Sequence, residues 1–398
     1  MTTALFGVTG FVAAEDNHEL SPADIHGQSA ILIDGTTGQV LFEKNAHERL
    51  YPASITKIAT GIYAIENGNP DDLVTVSHKA RYEEGTRVYL GEGEQVPLRK
   101  LEYGLLMHSG NDAATAIAEH LAGTNEQFAE ELNRYLEEKT GVTDTHFTNP
   151  HGLHDPEHYT TAADMAKIAQ YAMQNPEFRE IVATKRLPWD GREWKSELIN
   201  HNKMLWRYEG ATGIKNGFTD QARHTLVVSA KRGETEFIAV TMKAGSSAMA
   251  YNDVTALLDY GFAHFETQQV AKAGQAFSQS IATASERRTD FTAPTDLYMT
   301  VPLGSAPRTE LTPQGTLRAQ AGDLTKEFPL TRKESPEVAS QTAHAAAAGA
   351  AESGASAVYY AILFTWLVLN LLMILYVVAR ARKRRSMFAQ QQWRRRAG

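Results

Sequence analysis

Ser54-Ile55-Thr56-Lys57, Ser109-Gly110-Asn111 and Lys215-Asn216-Gly217 follow one another along the chain, widely separated. A serine hydroxyl is a poor nucleophile at neutral pH and needs a neighbouring base. Three residues apart on a helix, Ser54 and Lys57 share a face, so the amine lies within reach of the hydroxyl. Lysine acts as a base only when part of it is neutral, which desolvation or a nearby cation achieves. Lys215 could be that cation if the fold brings it close, and Ser109 and Asn111 could relay the proton and orient the amide. A helix N-terminus at Ser54 also offers backbone N–H groups to a developing oxyanion. Lys215 would attract a substrate carboxylate, which points to cleavage at a free C-terminus. Singly, Ser54 reads as an N-cap, Ser109 as a turn residue and Lys215 as a solvated charge. Their order, separation and surroundings favour acyl transfer.

Elements that could position these residues are legible around them. Ala30–Asp34 and Gln39–Glu43 flank Gly35-Thr36-Thr37-Gly38, and Thr225–Ala230 and Glu236–Met242 flank Arg232-Gly233-Glu234; both read as hairpins. Helical patterns occupy Lys57–Asn67, Leu101–Leu121, Asn125–Thr140 and Ala162–Gln174 between them. The fold class is α/β (α+β), with strands gathered at the two ends of residues 28–266. Residues 267–332 carry short β-prone runs punctuated by Pro and Gly and predict a small all-β domain. Residues 333–356, rich in Ala, Ser, Gly and Glu, read as a stalk.

The chain has 398 residues, a net charge of −8 and no cysteine. This excludes disulfides and thiolate catalysis and gives no basic footprint for nucleic acid. Residues 357–379 contain no charged side chain, and as a helix they reach roughly 34 Å, enough for a transmembrane span. The basic residues that follow in 380–398 predict a cytoplasmic C-terminus, with everything before the span outside. Residues 1–14 end in Val12-Ala13-Ala14 and read as a possible signal segment without a basic n-region. His151, His154 and His158 match a zinc-ligand spacing, but Pro150, Gly152 and Pro156 interrupt it. The segment reads as a loop with surface histidines, and neither metal nor cofactor is expected.

Taken together, these stretches resemble a low-molecular-weight penicillin-binding protein, a serine-type D-alanyl-D-alanine carboxypeptidase. Pro52-Ala53-Ser54-Ile55-Thr56-Lys57 is similar to that family's P-A-S-x-T-K. Tyr89–Gly93, Gly104–Ala114, Thr145–Leu153 and His158–Ala162 resemble its surrounding segments. The resemblance implies a transpeptidase-like domain with an antiparallel sheet and a helical cluster, followed by a β-rich domain standing off from the membrane. It implies Ser54 as nucleophile, Lys57 as general base, and Ser109 and Asn111 as assistants. Lys215 and Thr219 would bind the terminal carboxylate, Asn216 and Gly217 would complete that wall, and the Ser54 and Phe218 amides would form the oxyanion hole. Substrates would be peptidoglycan pentapeptide stems, with β-lactam antibiotics as covalent inhibitors. Two departures stand out: Asn216 replaces the usual Thr, and Ala222-Arg223 replaces Ala-Gly. The rivals are a β-lactamase or transpeptidase on the same fold, and a membrane-anchored penicillin-sensing module. A β-lactamase would need E-x-x-x-N, and Glu197-Leu198-Ile199-Asn200 is one residue short of it.

Overall fold

A computed structural model describes residues 20–280, 288–333 and 359–373. The possible signal segment, the stalk after Lys333 and the basic tail lie outside the described residues. The main sheet has five antiparallel strands: β1 (Ser29–Asp34), β2 (Val40–Lys44), β7 (Ala211–Thr219), β8 (Arg223–Arg232) and β9 (Thr235–Ala244), in spatial order 2-1-9-8-7. Both expected hairpins are present, and β1 pairs with β9, so the two ends of this segment close one sheet. Two small hairpins lie between, β3 (Leu73–Thr75) with β4 (Gln95–Pro97), and β5 (Arg186–Asp190) with β6 (Lys195–Ile199).

The sheet is buried on both faces, which is why its central strands are almost uniformly apolar. Side chains alternate across a strand. Ile31, Ile33, Ile238 and Val240 face one core, and Ala30, Leu32, Phe237 and Ala239 face the other. The first core is filled by α1 (Lys57–Asn67), α2 (His78–Arg81), α3 (Leu98–Leu106), α4 (Asn111–Ala122), α5 (Asn125–Thr140), α6 (Ala162–Ala172) and α7 (Pro176–Ala183). The second is closed by α9 (Ser247–His264), with Met204 of the short α8 (Met204–Arg207). Burial of each large aliphatic side chain is worth roughly 1.5–3 kcal/mol, so the three layers lock one another.

One expected element is divided. Leu101–Leu121 is not a continuous helix: α3 stops at Leu106 and α4 starts at Asn111. Ser109 sits between them with φ 67°, outside the helical region. The apolar periodicity runs through the break because both helices bury the same side, so the pattern conceals it. Ser54 likewise lies in a 3₁₀ turn, Ala53–Thr56, that feeds α1 instead of in α1 itself. Arg223 has φ 55°, a conformation that glycine adopts without strain.

The described residues fall into two compact units. The first also holds β10 (Phe265–Ala271) paired with β13 (Leu297–Pro302), and the sheet of β14 (Arg308–Leu311), β15 (Thr316–Ala321) and β16 (Leu324–Pro329). The buried Asp34 carboxylate at the end of β1 accepts hydrogen bonds from Thr267 and Thr300, at 2.6 and 2.9 Å. The second unit has β11 (Ala276–Ser280), β12 (Arg288–Thr292), β17 (Thr331–Arg332) and a helix over 359–373. Among the described residues no helix is long and apolar enough to cross a membrane. The rest of the expected span, 357–358 and 374–379, lies outside them.

Candidate active site

The nucleophile turn sits where α1, α4, β7 and the loop 145–161 converge. Lys57 is fully buried, and its Nζ lies 3.1 Å from Ser54 Oγ, 2.7 Å from Asn111 Oδ1 and 2.6 Å from the His151 carbonyl oxygen. The Asn111 amide is oriented by Nδ2, which donates to the Glu84 carbonyl at 2.6 Å, so Oδ1 faces the lysine. Neither Asn111 Oδ1 nor the His151 carbonyl can donate. A neutral amine therefore gives its two N–H groups to them and keeps its lone pair for the Ser54 hydroxyl. Burial holds the Lys57 ammonium well below the usual lysine range, and the Lys215 charge pushes the same way, against Asp112 and Glu83. The fold thus places beside Ser54 an amine whose charged form is disfavoured, as a lysine base would need.

Lys215 is also buried, and burial pushes its ammonium down to about 7. Its Nζ donates to the Asn216 carbonyl at 3.0 Å, and no carboxylate pairs with it among the described residues. β7 is an edge strand, and at Gly217 it runs against the nucleophile turn: a Cβ there would stand 2.7 Å from the Ser54 amide nitrogen and 2.6 Å from Thr225 Oγ1. Thr225 Oγ1 itself donates to the Pro52 carbonyl at 2.8 Å. Phe218 is half exposed, its ring against His224. Thr219 Oγ1 accepts from the Ala222 amide. Asn216 Oδ1 is buried without a partner and lines a pocket of about 400 Å³ with Ile199, His201, Lys203 and Trp206.

The structure therefore brings Ser54, Lys57, Asn111 and Gly217 into contact, with Lys215 near enough to act on Lys57. Ser109 is buried at the break ahead of α4, but no hydrogen bond joins it to Ser54 or Lys57 among the described residues. The surface-histidine expectation is overturned for two of three. His151 and His158 are buried, because the loop that carries them packs onto the nucleophile turn, and only His154 is exposed. Among the described residues no group of side chains could hold a metal. Sequence reasoning also passed over Asp112, whose buried carboxylate accepts from the Val88 and Leu90 amides and so pins the loop opposite α4. Glu83, hydrogen-bonded by Thr115, was missed as well. An Asp in the first turn of an otherwise apolar helix is the signal that could have found the former.

A half-buried serine against a fully buried lysine, an amide that orients that lysine and a second buried lysine on the facing edge strand define a serine acyl-transfer enzyme. The D-alanyl-D-alanine carboxypeptidase profile, peptidase S11, matches residues 16–246. The chain belongs to that family. It is 33% identical to D-alanyl-D-alanine carboxypeptidase DacD of Escherichia coli over 314 residues, 75% of this chain and 79% of that one. It is 34% identical to DacF of Bacillus subtilis over 272 residues, 66% and 69% of the two chains. Penicillin-binding protein 5 of Haemophilus influenzae superposes with a TM-score of 0.71 at 29% identity, covering 79% of this chain and 99% of that one.

Proposed function

We propose that the chain is a serine-type D-Ala-D-Ala carboxypeptidase that trims peptidoglycan pentapeptide stems through an acyl-enzyme on Ser54. The observation that carries this is Lys57 Nζ, 3.1 Å from Ser54 Oγ and held by two acceptors, Asn111 Oδ1 and the His151 carbonyl, which leave the lone pair of a neutral amine for the serine. Ser54 Oγ attacks the penultimate carbonyl carbon as Lys57 takes its proton. The tetrahedral oxyanion rests on the Ser54 and Phe218 amides, and the C–N bond breaks as the leaving D-alanine amine accepts a proton. Ser109 and Asn111 assist this transfer. Lys215 holds the terminal carboxylate with Thr219, beside Asn216 and Gly217. Water then opens the ester, the same lysine taking its proton. β-Lactams enter the first half of the cycle and stay as acyl adducts. The β-lactamase alternative lacks support: Glu197 pairs with Arg186, and Asn200 bonds the Val182 and Thr184 carbonyls. The test is D-alanine release from a stem ending in D-Ala-D-Ala, with mass-spectrometric mapping of a penicillin adduct. Release with the adduct on Ser54 supports the reading. An adduct without release favours a sensor or an amine-dependent transpeptidase.

The pH profile follows from Lys215. It is charged below about 7 and neutral above, so affinity for a carboxylate-terminated stem falls as pH rises through that range. The kcat/KM profile for the stem should show this alkaline limb, and an ester substrate without the terminal carboxylate should not. An identical limb for both would remove Lys215 from carboxylate binding.

The same proposal places the catalytic domain outside the cytoplasmic membrane, anchored through residues 357–379. Its support is the uncharged run, the helix over 359–373 with exposed Ile362, Phe364, Trp366 and Leu369, and the arginines after it. The full chain should stay in membranes through an alkaline wash while a chain ending at Leu330 is released. Release of both would remove the anchor.

A further inference from the structure

Ala53, immediately before Ser54, has φ 53°, the left-handed region that a residue with a Cβ adopts only when its surroundings hold it there. Those surroundings come from the loop 145–161. Gly152 rests directly on Ala53: a Cβ at Gly152 would stand 1.9 Å from the Ala53 carbonyl oxygen, so only glycine allows that approach. Thr56 Oγ1 lies 2.9 Å from the same oxygen and 2.8 Å from His158 Nε2. At its other side, His158 Nδ1 lies 3.0 Å from the Thr148 amide nitrogen.

Only one arrangement of hydrogens satisfies this chain. The Thr148 N–H can only donate, so His158 Nδ1 accepts and the ring proton sits on Nε2. Nε2–H then donates to Thr56 Oγ1, which leaves the threonine hydroxyl free to donate to the Ala53 carbonyl. Each link fixes the direction of the next. The imidazole is held in plane by Phe147, stacked at 5.0 Å and 26°, and both rings are buried. A neutral His158 suits this role, and burial pushes it down to about 3.

We propose that His158 and Thr56 are positioning residues of this enzyme: their one-way relay from the Thr148 amide clamps the Ala53 carbonyl and thereby fixes the aim of Ser54. Neither touches substrate. The inference rests on Ser54 being the nucleophile and adds that its reactivity depends on a buried histidine 102 residues from Thr56. The relay places Ser54 Oγ against the Lys57 lone pair and its amide against the oxyanion. Slackening it therefore slows acylation without weakening the hold on the stem carboxylate.

The experiment uses the full chain carrying Thr56→Val, Thr56→Ser or His158→Phe, with three readouts: the rate of acylation by a fluorescent penicillin, KM for the pentapeptide, and the thermal midpoint. Thr56→Val keeps the shape and loses the hydroxyl, and misplacement of the nucleophile should slow acylation on the order of 10–100-fold with KM changed less than about twofold. Thr56→Ser restores the hydroxyl and should restore the rate, while His158→Phe should fall with Thr56→Val. Wild-type acylation by Thr56→Val overturns the proposal. So does Thr56→Ser as slow as Thr56→Val, or a loss accounted for by the unfolded fraction. Failure of the wild type to label at Ser54 would instead overturn the nucleophile assignment and is read separately.

Discussion

Lys57→Met is expected to lower kcat/KM for stem cleavage on the order of 10³–10⁴-fold, about 4–5 kcal/mol of transition-state stabilisation. Methionine fills the buried site with a chain of similar length, so what is removed is the amine. Without it the Ser54 proton has no acceptor, because Asn111 Oδ1 and the His151 carbonyl face the lost Nζ. Those two oxygens lose their donors at about 1–3 kcal/mol each, offset in part because a buried amine no longer has to be desolvated. Lys57→Arg makes the argument sharper. A guanidinium stays charged at every accessible pH and cannot take the proton. If Lys57 served only to hold charge near the oxyanion, Arg would retain activity. The base assignment requires both variants to fail, in penicillin labelling as well as in D-alanine release. An active Lys57→Arg would end it.

Gly217→Ala is expected to lower the acylation rate on the order of 10²–10³-fold, the usual consequence of losing one oxyanion donor. The added methyl would meet the Ser54 amide nitrogen at 2.7 Å and Thr225 Oγ1 at 2.6 Å. One of those contacts is backbone, so the strand must move away from the nucleophile turn. That movement separates the Ser54 and Phe218 amides and loosens the Thr225 bond to the Pro52 carbonyl. Overpacking of this kind costs about 1–3 kcal/mol of stability, which the thermal midpoint reads independently. Lys215 stays on β7, so KM should move far less than kcat. Unchanged acylation would mean that the amide next to Gly217 takes no part in holding the oxyanion.

Much of the scaffold is legible in the chain because its signals are local. Asn125–Thr140 is a helix with the bounds its pattern predicts, and the hairpins at Gly35–Gly38 and Arg232–Glu234 follow from their turn residues. Ser54 and Lys57 declare their adjacency through helical spacing alone. What stayed hidden depends on distant partners. His151 and His158 look like surface residues in a Pro- and Gly-rich loop. Their burial is visible only when the chain 94–102 residues earlier is laid beside them. The break between α3 and α4 is masked because apolar side chains continue across it. Gly217 reads as part of a motif, whereas its reason is the lack of room beside Ser54. α9 has no strong periodic signal, and packing on the finished sheet specifies it, whereas the β5–β6 hairpin carries a turn signal, Asp190-Gly191, that the sequence reading passed over.

The hydrogen bond between Thr225 and Pro52 spans 173 residues, and the strand order puts β1 beside β9. Such a topology places the closing contacts late in folding, because loop-closure entropy must be met before they form. The nucleophile turn can therefore exist in isolation only as an unstrained, unreactive segment. Its left-handed Ala53 is imposed by chain synthesised long afterwards. A chain whose C-terminal half has not yet docked is therefore expected neither to cut stems nor to capture β-lactam. Penicillin labelling thus serves as a clock for maturation, and in a refolding experiment its lag behind the helical signal measures that final step.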